Sequence, residues 1–384
     1  MRAPQTRGPK PTQCRRVREF ILGQIRSGLW PPGQVLPVEA LLAEQSAVSQ
    51  PTVHRALRQL LAEGALSEDA AGRRLVTGTA ASLMARTIVL LSRFDIGQEL
   101  GHGLEGWASS LDLAVQRQLL AGQWQVFGMH PERLSDANLA QLGSDPPAGV
   151  LLMADELPQA LTRRLVRALR SIAVPLVLVG EVEGGTAYSV SIDQAEGGRL
   201  VARWLADRGC RKLIAMHRPD SFLPWHEQRQ FGHRKGAAEA GLPPPSRCDI
   251  ASYGDPSAEV ATRHAAKTSW LVERLRPLCI ADCRIGILGL SDGEVPTLWA
   301  ACRRLGLKPG RDVLVSGYDG WWQVLEAERQ LEPLPPAVTT DRRHTELASL
   351  VVRSLVERIA NPTASPRQIR LAPRLMVPED PTYG

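Results

Sequence analysis

The first 80 residues carry apolar positions at helical spacing. Between residues 14 and 29 these positions recur every three or four residues, which predicts an amphipathic helix with an inner stripe of Val17, Phe20, Ile21, Ile25 and Leu29. A second helix is predicted over residues 39–45, with Leu41 and Leu42 facing inward. Pro37 lies near its start, where a missing N–H costs nothing.

A third helix is predicted after a turn at residues 46–48. Ser49 is placed to cap its first turn and Gly64 to end it, and its inner stripe is Val53, Leu57, Leu60 and Leu61. Residues 65–66 and 73–76 then flank a turn containing Gly72, which predicts a two-stranded wing. Three short helices and a wing form the winged helix-turn-helix plan, in which outward side chains of the third helix reach DNA base edges.

The pattern changes at residue 87, where buried-strand runs begin to alternate with helical stretches. Strands are predicted at 87–91, 124–127, 149–153, 175–179, 212–215, 285–289 and 312–315. Helices are predicted near 103–121, 158–171, 195–208, 227–240, 257–276 and 293–305. This alternation predicts an α/β fold of parallel sheets with helices on both faces, long enough for two lobes. Ligands in such folds bind near the carboxyl ends of the strands.

The chain of 384 residues exceeds the usual size of one hydrophobic core. We predict a flexible basic arm at 1–10, a winged helix-turn-helix at 11–78, a linker at 79–86 and a two-lobed domain at 87–377. The net charge of +6 is concentrated at the start, because residues 1–78 hold eleven Arg and Lys against six Asp and Glu. A basic module on a nearly neutral body indicates a polyanionic partner for that module.

No apolar run approaches the length of a membrane span, and residues 1–8 lack the apolar segment of a secretion signal. We therefore expect a cytoplasmic protein with no membrane partner. Six scattered cysteines fit a reducing compartment, and the close pair Cys279 and Cys283 is a weak metal signal without a second ligand pair.

The sequence predicts no enzyme, no cofactor and no metal site. It contains no Gly-x-Ser-x-Gly elbow, no P-loop, and no dinucleotide glycine fingerprint after the first predicted strand. His226 and His233 lack a third metal ligand at a plausible spacing.

The N-terminal module resembles the DNA-binding domain of the GntR family of bacterial transcription regulators. The resemblance lies in SGLWPPGQVLP at 27–37, LAEQ at 42–45, SQPTVHRAL at 49–57 and EG at 63–64. It implies contacts with double-stranded DNA from one set of side chains: Ser49, Gln50, Thr52, His54, Arg55, Arg58, Arg73 and Arg74. Three positions where the family usually carries Arg hold Ala40, Gln50 and His54. We therefore expect a shifted operator preference, or weaker DNA binding.

The large domain resembles the effector-binding part of LacI-type regulators, a periplasmic-binding-protein fold of two lobes around a cleft. The resemblance lies in SIDQAEGG at 191–198, LADRGCRKL at 205–213, RQFG at 229–232, GLSD at 289–292, GLKPGRDVLVSGYD at 306–319 and PAVTT at 336–340. It implies that Arg229 and Asp292 reach into the cleft and hydrogen-bond the ligand, a pairing that suits sugar hydroxyls. The alternative is that both residues form salt bridges on the surface or between the lobes.

Other effector candidates are aromatic side chains that can stack on a sugar ring, namely Phe94, Trp225 and Tyr253. Arg343 matches a polar cleft position of the family. Ser291 and Gly320 depart from the family pattern, which leaves the ligand's identity open.

The two resemblances together imply the arabinose-repressor type of regulator. In that type a homodimer binds an inverted-repeat operator, and a small molecule, here expected to be a sugar, changes the spacing of the DNA-binding heads. A carbohydrate-binding protein with weakened or lost DNA binding is the alternative, and an enzyme on this fold is a remoter one.

Overall fold

The computed structural model describes residues 13–26, 29–77, 83–93, 106–182, 187–219, 223–250, 259–280 and 282–378. Its N-terminal domain, here called the head, contains helices α1 (Gln13–Arg26), α2 (Glu39–Ser46) and α3 (Gln50–Ala62). Strands β1 (Leu66–Glu68) and β2 (Arg74–Val76) pair antiparallel as the wing. The predicted winged helix-turn-helix plan is confirmed.

The head has a small apolar core between its three helices and the wing. Val17 and Ile21 of α1, Leu42 of α2, and Val53 and Leu60 of α3 are all fully buried. Burial of each such side chain contributes about 1.5–3 kcal/mol, so this core holds the three helices at fixed angles.

Two residues of the predicted inner stripes lie outside this core. Leu29 is 58% exposed because α1 ends at Arg26, three residues before the predicted end. Leu41 is 42% exposed because Leu42 and Ala43 are the positions of α2 that face inward. The prediction that Leu29 and Leu41 are core residues is therefore wrong.

The turn between α2 and α3 depends on Ala47, which adopts a left-handed conformation with φ of 51°. Its N–H and that of Val48 bond to carbonyl groups at the end of α2. Ser49 stands at the N-cap position of α3, but its hydroxyl bonds to the Thr52 hydroxyl at 2.9 Å and caps no backbone N–H.

The first lobe contains a six-stranded sheet in the order β13-β7-β6-β5-β3-β4, in which every neighbouring pair is parallel. Its strands are β3 (Thr87–Leu91), β4 (Gln125–Met129), β5 (Gly149–Met153), β6 (Leu176–Val179), β7 (Ser189–Ile192) and β13 (Gln368–Leu371). Helices α4 (Gly106–Ala121) and α12 (His344–Ala360) cover one face, and α5 (Asp136–Ser144) and α6 (Gln159–Ser171) cover the other.

The second lobe contains a four-stranded parallel sheet in the order β11-β10-β8-β9. Its strands are β8 (Lys212–His217), β9 (Ser246–Asp249), β10 (Ile285–Leu288) and β11 (Val313–Ser316). Its helices are α7 (Gln194–Asp207), α8 (Pro224–Glu239), α9 (Val260–Leu275), α10 (Val295–Arg304) and α11 (Glu326–Leu331). The predicted α/β class with two lobes of parallel strands is confirmed.

The chain crosses between the lobes after β7, through strand β12 (Thr339–Asp341), and through strand β14 (Arg374–Met376). The last two pair antiparallel with each other. The crossings bring the carboxyl ends of both parallel sheets to one cleft.

The head lies against the first lobe through α1 and α12. The side-chain amide of Gln24 donates to the carbonyl of Ala360, the last residue of α12, at 3.2 Å. A Cβ added at Gly23 would lie 2.8 Å from the carbonyl oxygen of Ile359, so only glycine permits this approach. Within the described ranges, none of the helices has the length and apolarity of a membrane span.

Candidate functional site

The outward face of α3 forms a shallow concave surface on the head. It is lined by Glu39, Gln50, Pro51, His54, Arg55, Arg58, Gln59 and Ala62. The opposite face of the same helix buries Val53, Ala56, Leu57 and Leu60, which fixes the orientation of the exposed side chains. This is the geometry that a recognition helix needs in order to lie in the major groove.

The predicted DNA-binding residues differ in how they are held. Arg55 and Arg58 are exposed and have no partner among the described residues. Arg73 bonds to Asp69 at 2.7 Å in the wing, and Arg74 approaches Glu68 at 3.5 Å. Arg55 and Arg58 are therefore the two guanidinium groups on α3 that are available to phosphate.

His54 is held by an acidic neighbour on the same surface. Its Nδ1 lies 3.0 Å from Oε1 of Glu39, at the start of α2, and Arg74 lies 3.6 Å from the same carboxylate. Gln50 is exposed one turn before His54. Two positions where the related family carries arginine thus present an exposed amide and a paired imidazole, which lowers the positive charge available to DNA.

The cleft between the lobes is built from charged side chains that follow the carboxyl ends of strands. Asp155 follows β5, Glu181 follows β6, Asp319 follows β11 and Arg342 follows β12. Asp155, Asp319 and Arg342 are buried. A buried charge is stable only when it is paired, so each of these side chains must contact a group of opposite charge.

Arg229, on α8, is also buried, with 1% of its surface exposed. Its Nε donates to Gln194 Oε1 at 2.8 Å, one Nη donates to Asp319 at 3.0 Å, and the other donates to the Leu290 carbonyl. Its guanidinium stacks between the rings of Trp225 and Tyr318, at 4.4 Å and 3.5 Å from their centroids. All three nitrogens and both faces of the guanidinium are thus occupied by protein.

A close approach of α7 and α8 positions Arg229. A Cβ added at Gly232 would lie 2.0 Å from the Ala195 carbonyl oxygen, and one at Gly198 would lie 2.5 Å from the Arg229 carbonyl oxygen. Glycine at these positions lets the two helix backbones touch, which brings the start of α7, with Gln194, beside the Arg229 side chain.

Arg342 joins the two lobes. Its guanidinium lies 3.1 Å from Asp319 of the second lobe and 3.7 Å from Asp155 of the first. Burial lowers the pKa of Arg342 and raises that of Asp155. The positive charge of Arg342 therefore favours the ionised form of Asp155, which burial alone would disfavour.

Glu181 makes a second connection between the lobes. It accepts hydrogen bonds from both Nε and Nη of Arg370, at 2.6 and 3.0 Å, and from Ser191 at 2.9 Å within the first lobe. Its carboxylate also lies 3.3 Å from the side-chain amide of Gln228, on α8 of the second lobe. Gln228 and Glu181 are thus a direct polar contact between the two lobes.

Asp292 points into the second lobe. It is fully buried and accepts hydrogen bonds from the Thr339 hydroxyl at 2.6 Å and from the backbone N–H groups of Trp321 and Trp322 at 2.8 and 3.0 Å. Burial raises the pKa of Asp292 to about 7. A ligand reaches this carboxyl group only by replacing one of these partners.

The structure describes two of the four remaining predicted effector residues, Trp225 and Arg343. Trp225 is half-buried, and its indole N–H is buried without a partner among the described residues. Arg343 bonds to Glu346 and to the carbonyl of Ala372 at 3.2 Å. Phe94 and Tyr253 lie outside the described residues.

Sequence reasoning missed Asp155, Glu181, Gln228 and Arg342. Three of them follow a strand directly or within two residues, and strand ends in a parallel sheet meet at one edge. A search for charged residues just after the predicted strands 149–153 and 175–179 would have found Asp155 and Glu181.

Comparison with known proteins finds two different families, one matching the head and the other matching the C-terminal part of the chain. Residues 13–69 match the family described as bacterial regulatory proteins, gntR family, and residues 202–378 match the periplasmic-binding-protein-like domain. The chain joins a gntR-type head to a periplasmic-binding-protein-like domain. Both families are regulatory or ligand-binding proteins and not enzymes.

The chain is also similar to individual proteins. The transcriptional repressor PurR of Yersinia pestis bv. Antiqua (strain Antiqua) is 26% identical over 249 residues, which cover 62% of this chain and 65% of PurR. The chain thus spans about two thirds of the length of that relative.

Solved structures share the fold of the periplasmic-binding-protein-like domain. The complex of the regulator CelR with cellobiose aligns with a TM-score of 0.58 at 20% identity, covering 89% of this chain and 99% of CelR. A LacI-family regulator from Enterococcus faecium with bound ribose aligns with a TM-score of 0.55 at 16% identity, covering 76% of this chain and 96% of that regulator.

Proposed function

We propose that this protein is a bacterial transcription regulator, acting as a repressor, that binds double-stranded DNA through the gntR-type head and a sugar in the cleft. The observation that carries the proposal is the presence in one chain of an exposed recognition helix and a two-lobed cleft whose charged groups connect the lobes. Such a regulator works in the cytoplasm, where bacterial DNA lies.

The DNA-binding half of the proposal is supported by α3. Arg55 and Arg58 have no partner in the described part of the chain, and they lie on a helix whose other face is buried in the core of the head. The gntR-type plan positions such residues against phosphate, and Gln50 can pair with adenine through its amide. We infer an operator with a preference different from the one the family's arginines would give.

The effector half is supported by the polar groups of the cleft. Sugars are recognised by planar arrays of donors and acceptors together with an aromatic face. Trp225 supplies an aromatic ring, which lies against Arg229, and Asp155 and Glu181 supply carboxylates near the ends of their strands. The related CelR and Enterococcus regulators contain cellobiose and ribose, which agrees with a sugar ligand.

Coupling between the two halves requires that the effector favour one arrangement of the lobes. A ligand that enters the cleft competes for groups that now hold the lobes together, such as Glu181 with Gln228 and Arg342 with Asp155. In a homodimer, a change in lobe angle alters the spacing between two heads and hence the fit to an inverted repeat.

A carbohydrate-binding protein with weak DNA binding is the second candidate. It is favoured by Glu39, whose carboxylate lies within the recognition surface, and by Gln50 and His54 in place of arginine. A sugar-binding chain without operator binding would retain every contact of the cleft.

Fluorescence anisotropy of the full chain on DNA from its own promoter separates these candidates. We expect saturable binding that weakens steeply with salt, and a shift of the binding curve when one member of a panel of monosaccharides and sugar phosphates is added.

Calorimetric titration of that sugar into Arg229→Ala and Asp292→Ala tests the cleft. Both variants should bind the sugar with lower affinity than the wild type does. Sugar binding without any DNA binding would favour the second candidate, and wild-type sugar affinity in both variants would reject the cleft assignment.

A further inference from the structure

Two histidines and a glutamate meet at the carboxyl end of β8. His217 is the last residue of β8, and His226 and Glu227 lie in the first turn of α8. One potential ligand atom from each of the three lies within 4.8 Å of the other two. The cluster sits beside the cleft, since Trp225 and Arg229 belong to the same helix.

Asp249 fixes the orientation of His217. The two residues are register partners on neighbouring parallel strands, and Nδ1 of His217 lies 3.0 Å from Oδ1 of Asp249. A carboxylate at this nitrogen selects the tautomer in which Nδ1 carries the hydrogen and Nε2 carries a lone pair. The same arrangement of carboxylate behind histidine orients histidine ligands at metal sites.

The free nitrogen of His217 points at a carboxylate. Its Nε2 lies 3.9 Å from Oε1 of Glu227, so these two potential ligand atoms face each other across the space that an ion would occupy. Two ligands of a tetrahedral Zn²⁺ ion lie about 3.4 Å apart, which the exposed Glu227 side chain reaches by a small rotation.

His226 completes the cluster as a neutral imidazole. Its side chain is fully buried, its ring centroid lies 4.7 Å from that of His217, and its Nδ1 has no partner among the described residues. In its neutral form an imidazole ring carries one lone pair, and the contact with Arg218 indicates that in His226 it lies on Nε2. Its Nε2 accepts a long hydrogen bond of 3.3 Å from the Arg218 N–H, which a metal bond at Nε2 would replace.

The three arginines whose charges act on His226 are each paired with another carboxylate. Arg229 lies 3.0 Å from Asp319. Arg247 bonds to Asp249, and Arg218 lies 3.6 Å from Glu294. The positive charges around the cluster are thus matched, and the carboxylate of Glu227 is left to neutralise a bound cation.

We propose that His217, His226 and Glu227 form a site for a borderline divalent transition ion of the Zn²⁺ class, with Asp249 orienting His217. Two imidazoles and one carboxylate are a donor set that zinc accepts with a water as fourth ligand. The ion connects the end of β8 to the first turn of α8, and so restrains the helix that carries Trp225 and Arg229. This inference does not depend on the proposed function.

Metal titration of the full chain, freed of any affinity tag, tests the site. Co²⁺ should give the visible absorption of a tetrahedral nitrogen and oxygen complex with one ion per chain, and Zn²⁺ should displace it. His217→Ala and Glu227→Gln should each weaken Zn²⁺ binding more than about 100-fold, and Asp249→Asn about 10- to 100-fold. Glu227 is exposed, so its variant tests the site without disturbing the fold.

Matched substitutions elsewhere in the second lobe provide the controls. His264→Ala and Glu273→Gln, both on α9, should leave the metal affinity unchanged. Zn²⁺ should raise the Tm of the wild type and of these two controls, but not the Tm of His217→Ala or Glu227→Gln. A cobalt spectrum with sulfur charge-transfer bands, wild-type affinity in Glu227→Gln, or no binding at equimolar Zn²⁺ would each overturn the proposal.

Discussion

The outward face of α3 and the cleft between the lobes both present arginine, but they hold it in opposite ways. Arg55 and Arg58 extend into solvent without a protein partner among the described residues, whereas Arg229 and Arg342 are at most 3% exposed and contact Asp319. The first arrangement leaves the charge for an external polyanion. In the second arrangement the buried arginines stabilise one conformation of the two lobes, and a ligand can change that conformation only by competing for the same charged groups.

The largest expected effect follows from removing one member of the buried network. In Arg342→Met, the carboxylates of Asp319 and Asp155 lose a shared partner inside the protein. We expect the free energy of unfolding to fall by about 3–5 kcal/mol, measured by urea denaturation followed by circular dichroism. The neighbouring Arg343→Met, which removes a pair with Glu346 nearer the surface, should cost about 0–1 kcal/mol. Equal losses in the two variants would contradict the distinction drawn here.

A second effect concerns acid. His233 of α8 is buried, neither ring nitrogen has a partner in the described part of the chain, and burial lowers its pKa to about 3. His233 therefore binds a proton near pH 6.5 in the unfolded chain but only near pH 3 in the folded chain, so the free energy of unfolding decreases as the pH falls below 6.5. In His233→Leu the decrease in the free energy of unfolding between pH 6.5 and 4 should be smaller by about 3 kcal/mol.

The comparison in acid needs a control because Asp292 titrates with the opposite sign. Its pKa is raised to about 7, so its contribution to stability increases as the pH falls through that value. The slope of unfolding free energy against pH should be compared between wild type, His233→Leu and His54→Gln, the last altering an exposed histidine of the head. A change of slope as large in His54→Gln would reject the assignment to His233.

The smallest expected effect concerns the exposed arginines. Arg55→Ala and Arg58→Ala should leave the unfolding free energy within about 0.5 kcal/mol of wild type, because both side chains lie on the surface. Each should reduce by about 1 the slope of log affinity against log salt concentration for promoter DNA. The control Arg203→Ala removes an arginine of α7 that is paired with Asp207, and it should leave the slope unchanged.

The head was predictable because its order is local. The spacing of Val53, Leu57 and Leu60 determines which face of α3 is buried, and it therefore also determines that Arg55 and Arg58 face outward. The strands at 87–91 and 149–153 were predicted to the residue because they are uninterrupted apolar runs, buried on both faces. Strand β7 was missed because it buries Ser189 and Ser191 beside its apolar residues, and α12 was omitted although Leu347, Val351 and Leu355 recur at helical spacing.

The contacts of the cleft could not be predicted in the same way. Arg229 takes its partners from residues 194, 290 and 319, and Asp292 takes its own from 321, 322 and 339. The sequence identifies these side chains as polar groups near strand ends, but the partner of each depends on which strands are neighbours. Their assignment as effector ligands accordingly stays a prediction.

The contact of Gly23 and Gln24 with the end of α12 has a consequence for cooperativity. A head of this size buries only a small core, so its stability in isolation is modest. Its attachment to α12, which packs across the sheet of the first lobe, adds a tertiary contact that the isolated head would lack. The head and the first lobe should then unfold as one calorimetric unit, and a displacement of α12 would change the fraction of heads that are locally unfolded.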